Sequence, residues 1–295
     1  MRRLPGRRKL SPVLSVGGIS IAVDGVDPSS VPDHLHPYSV NESEPMVRCR
    51  GELGPVESPE AARVLFDSGG VWRVEESPGG IRLVLRSGDP PGRDYHVLDL
   101  DQNLTRGRVR LDPGELEDDS RHFLLRDPLH ELWTSFLLMR GRGLLLHGCA
   151  LLLEGRVHVF LGESGAGKST LGKVIEKHGP AKGTILSDDR LVVRPHESGY
   201  QVYGTPWHGE AQFASHLHGP LESIWFLDKA PLSEASELSP VESVDRLFRV
   251  CFLAGWPRTG LDFVLGMCQE LGKGVPCRLL RFRPDETALV AAGVA

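Results

Sequence analysis

One run in the chain has the residue types that hold a polyphosphate: Gly162-Glu163-Ser164-Gly165-Ala166-Gly167-Lys168-Ser169-Thr170. It matches the Gly-x-x-x-x-Gly-Lys-Ser/Thr pattern of a phosphate-binding loop in full. Glycines there admit positive φ and turn backbone N–H groups inward, which makes a concave nest for anions. Lys168 is expected to face solvent and reach the β- and γ-phosphates of ATP, while the Ser169 hydroxyl is expected to ligate Mg²⁺. A glycine-rich turn matching by chance would lack the flanks such a loop needs. Here an apolar strand, 156–161, leads in. A helix follows with Leu171, Val174 and Ile175 on one face and Gly179 at its stop, and its positive end points at the same anion.

Two adjacent carboxylates, Asp188 and Asp189, end the short apolar strand 184–187. Ligands of α/β sheets collect at the carboxyl ends of strands, so one carboxylate is placed to hold Mg²⁺ and the other to accept the proton of an attacking hydroxyl. The plain alternative is an Asp-Asp turn between strands. His147, in Leu146-His147-Gly148, ends the first of two strands before the loop; it is either part of this site or a packed, capped histidine. Gly204-Thr205-Pro206-Trp207-His208-Gly209-Glu210 is either a third contributor or a structured loop with its Trp in the core. Arg258, in a loop between two helices, is either a phosphate ligand or a solvated side chain. The expected catalytic set is therefore His147, Lys168, Asp188 and Asp189. Residues 162–170 bind the nucleotide, and Ser169 and Asp189 hold the metal.

These residues call for an α/β scaffold, and the segments around them supply one. Asp127 and Pro128 open a helix carrying Leu129, Leu132, Trp133, Phe136 and Leu137. Two apolar strands, 144–153 and 156–161, are joined at Glu154-Gly155. Further on, 222–227 reads as a strand, and Ser239-Pro240-Val241-Glu242 is a capping box opening a helix with Val244, Leu247, Phe248, Cys251 and Phe252. A second helix bears Leu261, Val264, Leu265, Cys268 and Leu271, and 275–282 is a final strand. Before residue 125 the texture differs: short extended runs at 19–23, 71–74, 81–85 and 95–100 lie between turn clusters, with one helix-like piece at 59–66. Two domains are expected, a β-rich 1–125 and a phosphate-handling 126–295.

Composition narrows the partners. The net charge of −5, without a basic run beyond the N-terminus, offers no footprint for a nucleic acid. No stretch reaches the roughly 20 apolar residues a membrane span needs. The basic start (Arg2, Arg3, Arg7, Arg8, Lys9) is followed by Pro12, Gly17 and Gly18 rather than an apolar core, and reads as a solvated tail. Cys49, Cys149, Cys251, Cys268 and Cys277 are scattered and odd in number, as expected of reduced thiols in the cytoplasm.

With these residues in view, 125–295 resembles the HPr kinase/phosphorylase domain, related in fold to phosphoenolpyruvate carboxykinase. It looks closest to the HPr-kinase-like proteins of bacterial peptide-modification systems. The matching pieces are Leu146-His147-Gly148, the loop 162–170, Asp188-Asp189, the Gly-Thr-Pro-Trp-His-Gly-Glu run, and Val275-Pro276…Leu279…Phe282-Arg283-Pro284-Asp285. The resemblance implies an ATP- and Mg²⁺-dependent transferase acting on a hydroxyl of a peptide, protein or small molecule, and is compatible with a homo-oligomer. It places His147 near the transferred phosphate and gives Asp188 and Asp189 roles in proton acceptance and metal binding. The chain differs in having Ser169-Thr170 where HPr kinases usually carry Ser-Glu, and in lacking their phosphorolysis signature, so kinase rather than phosphorylase activity is implied.

Overall fold

The computed structural model describes residues 11–56, 62–87, 92–115, 124–253 and 260–295. Arg258 and the basic tail lie outside the described residues. The chain divides into two compact units, one of Met1–Ser15 and Ile19–Trp133, the other of Val16–Gly18 and Thr134–Ala295.

In the first unit, β1 (Val13–Val16), β2 (Ile19–Asp24), β3 (Val47–Leu53), β4 (Val64–Asp67), β5 (Trp72–Ser77), β6 (Gly80–Ser87), β7 (Arg93–Asp101) and β8 (Arg106–Leu111) form one sheet, ordered β1-β2-β3-β8-β7-β6-β5-β4. Strands β4 to β8 pair antiparallel, whereas β3 runs parallel to both β2 and β8. Strands β3 and β8 escape a search for apolar runs because a charged residue, mostly arginine, stands at every second position; only Val47, Cys49, Val109 and Leu111 among their large apolar residues turn inward. The helix-like reading of 59–66 is corrected where it can be checked. Residues 57–61 lie outside the described residues, and 64–67 is β4, an edge strand whose pairing with β5 overrides local helix preference.

The helix α1 (Leu129–Leu138) crosses the division between the units. In the second unit, β9 (Leu144–Leu153) and β10 (Arg156–Leu161) form a hairpin closed by Glu154 and Gly155, whose φ values of 50° and 77° are what a two-residue turn requires. There follow α2 (Lys168–His178), β11 (Thr184–Ser187), β12 (Arg190–His196), β13 (Gly199–Gly204), β14 (His218–Lys229), β15 (Glu234–Glu237), α3 (Pro240–Val250), α4 (Gly260–Gly274), β16 (Cys277–Phe282) and α5 (Thr287–Ala292). Strand β9 is shared: its first half pairs with β12, its second half with β10 and β11. Strand β14 pairs with β13 near its start, then runs parallel to β10 and β16.

Strands buried on both faces divide their side chains between two cores. Val157, Val159 and Leu161 of β10 join Leu247, Val250, Val264 and Leu271 of α3 and α4, while Phe160 joins Leu171, Val174 and Ile175 of α2 and Leu289 of α5. Helix α3 carries the expected capping box, Ser239 accepting from the Glu242 N–H and Glu242 from the Ser239 N–H. It ends at Val250, so Cys251 and Phe252 lie beyond it, and Leu265 on α4 is exposed rather than core. No helix among the described residues is long and apolar enough to cross a membrane.

Candidate functional site

The phosphate loop leaves β10 at Leu161 and enters α2 at Lys168. Gly165 and Gly167 take φ of 82° and 104°. Gly167 is required twice over, since a Cβ there would also stand 2.8 Å from the Phe282 ring. Lys168 is buried rather than facing solvent, and its Nζ donates to the carbonyls of Gly162 and Glu163, both at 2.9 Å. Burial lowers its pKa, opposed by Asp189, so the ammonium is poised to gain from an anion beside it.

The shared strand β9 brings the rest of the site to the loop. His147 sits inside β9, not at its end, and is paired in register with Arg190, the first residue of β12. Asp189 immediately precedes Arg190, so its carboxylate is within reach of a side chain on each strand. Its Oδ1 accepts from His147 Nε2 and from Arg190 Nη1, each at 2.8 Å. Burial works against the carboxylate, but the hydrogen bond from His147 and the charges of Arg190, His147 and Lys168 hold its pKa below the usual range.

Asp188 has a different environment. It is 1% exposed; Oδ1 accepts from the N–H groups of Gly209 at 3.0 Å and Phe213 at 3.2 Å, and Oδ2 from Ala211 at 2.9 Å. A Cβ on Gly209 would come within 2.8 Å of Oδ2. The Gly-Thr-Pro-Trp-His-Gly-Glu run is thereby explained as a loop fastened beside the site. Asp188 holds its far end, Thr205 Oγ1 donates to the Arg190 carbonyl at 2.8 Å, and Trp207 is buried. His208 and Glu210 are exposed.

Sequence reasoning missed the cations. Arg190 carried no signal of its own in the sequence and is placed by the pairing of β12 with β9. On the β14 side of the loop a cavity of about 670 Å³ is lined by the loop backbone and by Lys229, Arg246, Arg249 and Arg281. Arg246 pairs with Asp228 at 3.4 Å, Arg249 reaches Glu163 at 3.8 Å, and Arg281 meets Glu234 at 3.0 Å. Lys229 Cε lies 3.7 Å from where a Gly167 Cβ would sit, directly against the loop. These residues come from β14, α3 and β16, far apart in sequence.

Mg²⁺ bound with a nucleotide takes most of its ligands from phosphates and water and needs only one or two protein oxygens. A loop hydroxyl and a neighbouring carboxylate fit that demand. No group of three or more potential His, Cys, Asp or Glu ligands occurs among the described residues, so no dedicated all-protein cage competes with it.

Residues 151–208 match the family model described as ABC transporter. The matched stretch takes in the end of β9, β10, the loop, α2, both aspartates and the start of the fastened run, and it marks a P-loop nucleotide-binding protein. No curated protein matches the chain.

Proposed function

We propose that the chain is an ATP- and Mg²⁺-dependent kinase of the HPr kinase-like type, transferring the γ-phosphoryl group to a hydroxyl of a peptide, protein or small molecule. The observation that carries this reading is the Asp189 carboxylate, held by His147 and Arg190 and electrostatically coupled to the loop lysine. Simple nucleotide binding has no use for a base at that place. In the transfer, the acceptor oxygen attacks Pγ, its proton passes to Asp189, the bond from Pγ to the bridging oxygen breaks, and ADP leaves. Both fixed contacts fall on Oδ1, which leaves Oδ2 for the incoming group. His147 and Arg190 fix the carboxylate, Asp188 anchors the loop beside it, and Lys168 with the loop amides neutralises the γ-phosphoryl charge. Mg²⁺ would be held by the Ser169 hydroxyl together with the nucleotide and would supply further charge neutralisation to the phosphates. Lys229 and the arginines of the adjoining cavity would hold the rest of the nucleotide. Residues 126–295 would carry the chemistry and 1–125 the choice of acceptor.

The test offers candidate peptides and small alcohols with γ-labelled ATP. Asp189→Asn should keep ATP affinity within a few-fold while transfer falls by about 10²-fold or more, the usual size of a general-base contribution. Wild-type protein that binds ATP but labels no acceptor would overturn the kinase reading. It would favour a nucleotide-binding or hydrolysing protein without transfer, the second reading, which the ABC transporter match supports.

A further inference from the structure

The first unit has a charge arrangement that its own stability does not explain. On the parallel pair β3 and β8, Arg48 stands in register with Arg106, and Arg50 with Arg108. One step further, Arg110 meets Glu52. Like charges directly opposed across a sheet destabilise it, yet here two such pairs lie in succession on one exposed face. Among the described residues, the carboxylates within reach do not balance them. Asp24 takes Arg48 at 2.7 Å, and the single Glu52 is shared by Arg50 at 3.4 Å, Arg110 at 3.4 Å and Arg108 at 3.9 Å. Asp99, in register with Arg108 across β7 and β8, is bonded by Arg82, and Asp101 accepts from the Thr105 and Arg106 N–H groups. The guanidiniums are open to solvent, with side-chain exposures of 72% for Arg50, 58% for Arg108 and 49% for Arg48. Two surface depressions, of about 550 and 670 Å³, adjoin along this ladder, and Arg50 and Arg106 line both.

We propose that this arginine face docks an acidic polypeptide segment in extended form. Side chains two apart along a strand repeat at roughly 6.6–6.8 Å, so an extended segment with carboxylates at alternate positions has the repeat of Arg48 to Arg50 and of Arg106 to Arg108. Guanidinium forks suit carboxylates, which accept two parallel hydrogen bonds. A nucleic acid fits less well. Neither depression is lined by an aromatic side chain on which bases stack. The inference concerns binding alone and is independent of the phosphate-transfer reading; where both hold, this face recruits an acidic acceptor.

The experiment uses the full chain without nucleotide and a fluorescein-labelled peptide of about ten residues alternating Glu and Ser, long enough to span the ladder at the strand repeat. Its comparators are the same peptide with Gln for Glu and a single-stranded oligonucleotide of equal charge. Anisotropy should show the Glu peptide binding, with affinity falling as salt rises past about 0.1 M, and the Gln peptide not binding. The double variant Arg50→Gln/Arg108→Gln should bind the Glu peptide about 10-fold or more weakly, the loss of two screened charge contacts. It should keep ATP affinity and melt at or above the wild-type temperature, because a repulsion is removed. Equal binding of the Glu and Gln peptides, undiminished binding by the variant, tighter binding of the oligonucleotide, or a variant that melts well below wild type would each overturn the proposal.

Discussion

Asp188→Asn tests the separation of the two aspartates most directly. The wild-type carboxylate accepts three backbone N–H groups, two on Oδ1 and one on Oδ2. The asparagine oxygen can keep the pair from Gly209 and Phe213, but its NH₂ then faces the Ala211 N–H, donor against donor. A hydrogen bond to a charged acceptor is lost, and a half-buried N–H loses its protein partner, together at about 1–3 kcal/mol. Relief of the buried charge offsets part of this, so a net destabilisation of about 2 kcal/mol is expected. At about 2–4 °C per kcal/mol for a unit of this size, the melting temperature should fall by roughly 4–8 °C. Thermal unfolding followed by near-ultraviolet circular dichroism measures it. Asp189→Asn in the same assay should shift the melt less, since its carboxylate carries no backbone amides. A melting temperature for Asp188→Asn within a degree of wild type would refute the anchoring role.

Gly167→Ala should abolish ATP binding in calorimetric titration and lower stability by about 1–3 kcal/mol, because the left-handed backbone and the Phe282 ring both exclude a Cβ; retained affinity would contradict the loop geometry. Lys168→Met should remove ATP binding while the fold survives, since the apolar stem that buries the lysine is replaced in kind; unchanged binding would sink the phosphate-loop assignment. His96 and His130 are buried, and burial pushes each down to about 4. A histidine of the unfolded chain titrates near 6.5. Between those values the unfolded state binds more protons, so stability should decline as pH falls from about 6.5 to 4. His96→Gln, which retains a donor for the Leu124 carbonyl, should flatten that decline in denaturant titrations, and an unaltered slope would refute it.

Local chemistry in the sequence determined the parts of this protein that act over a few residues. The loop 162–170 between strand and helix, the Glu154-Gly155 turn, the capping box at Ser239 and the β9, β10 and α2 segments were legible. Each depends on backbone conformation or periodicity within one element. Identical neighbours are a different matter. Nothing in Asp188-Asp189 distinguishes the two; pairing of β9 with β12 gives Asp189 to His147 and Arg190, and the return of residues 209–213 gives Asp188 to backbone amides. The burial of Lys168 and the gathering of Lys229, Arg246, Arg249 and Arg281 beside the loop likewise depend on strands and helices that meet only in the folded unit. The arginine face was hidden for the same reason. Alternation spreads its charges through an acidic chain, and parallel pairing of strands more than fifty residues apart (Arg48 with Arg106, Arg50 with Arg108) aligns them. Long-range register is a property of the sheet as a whole, and no window of the sequence contains it.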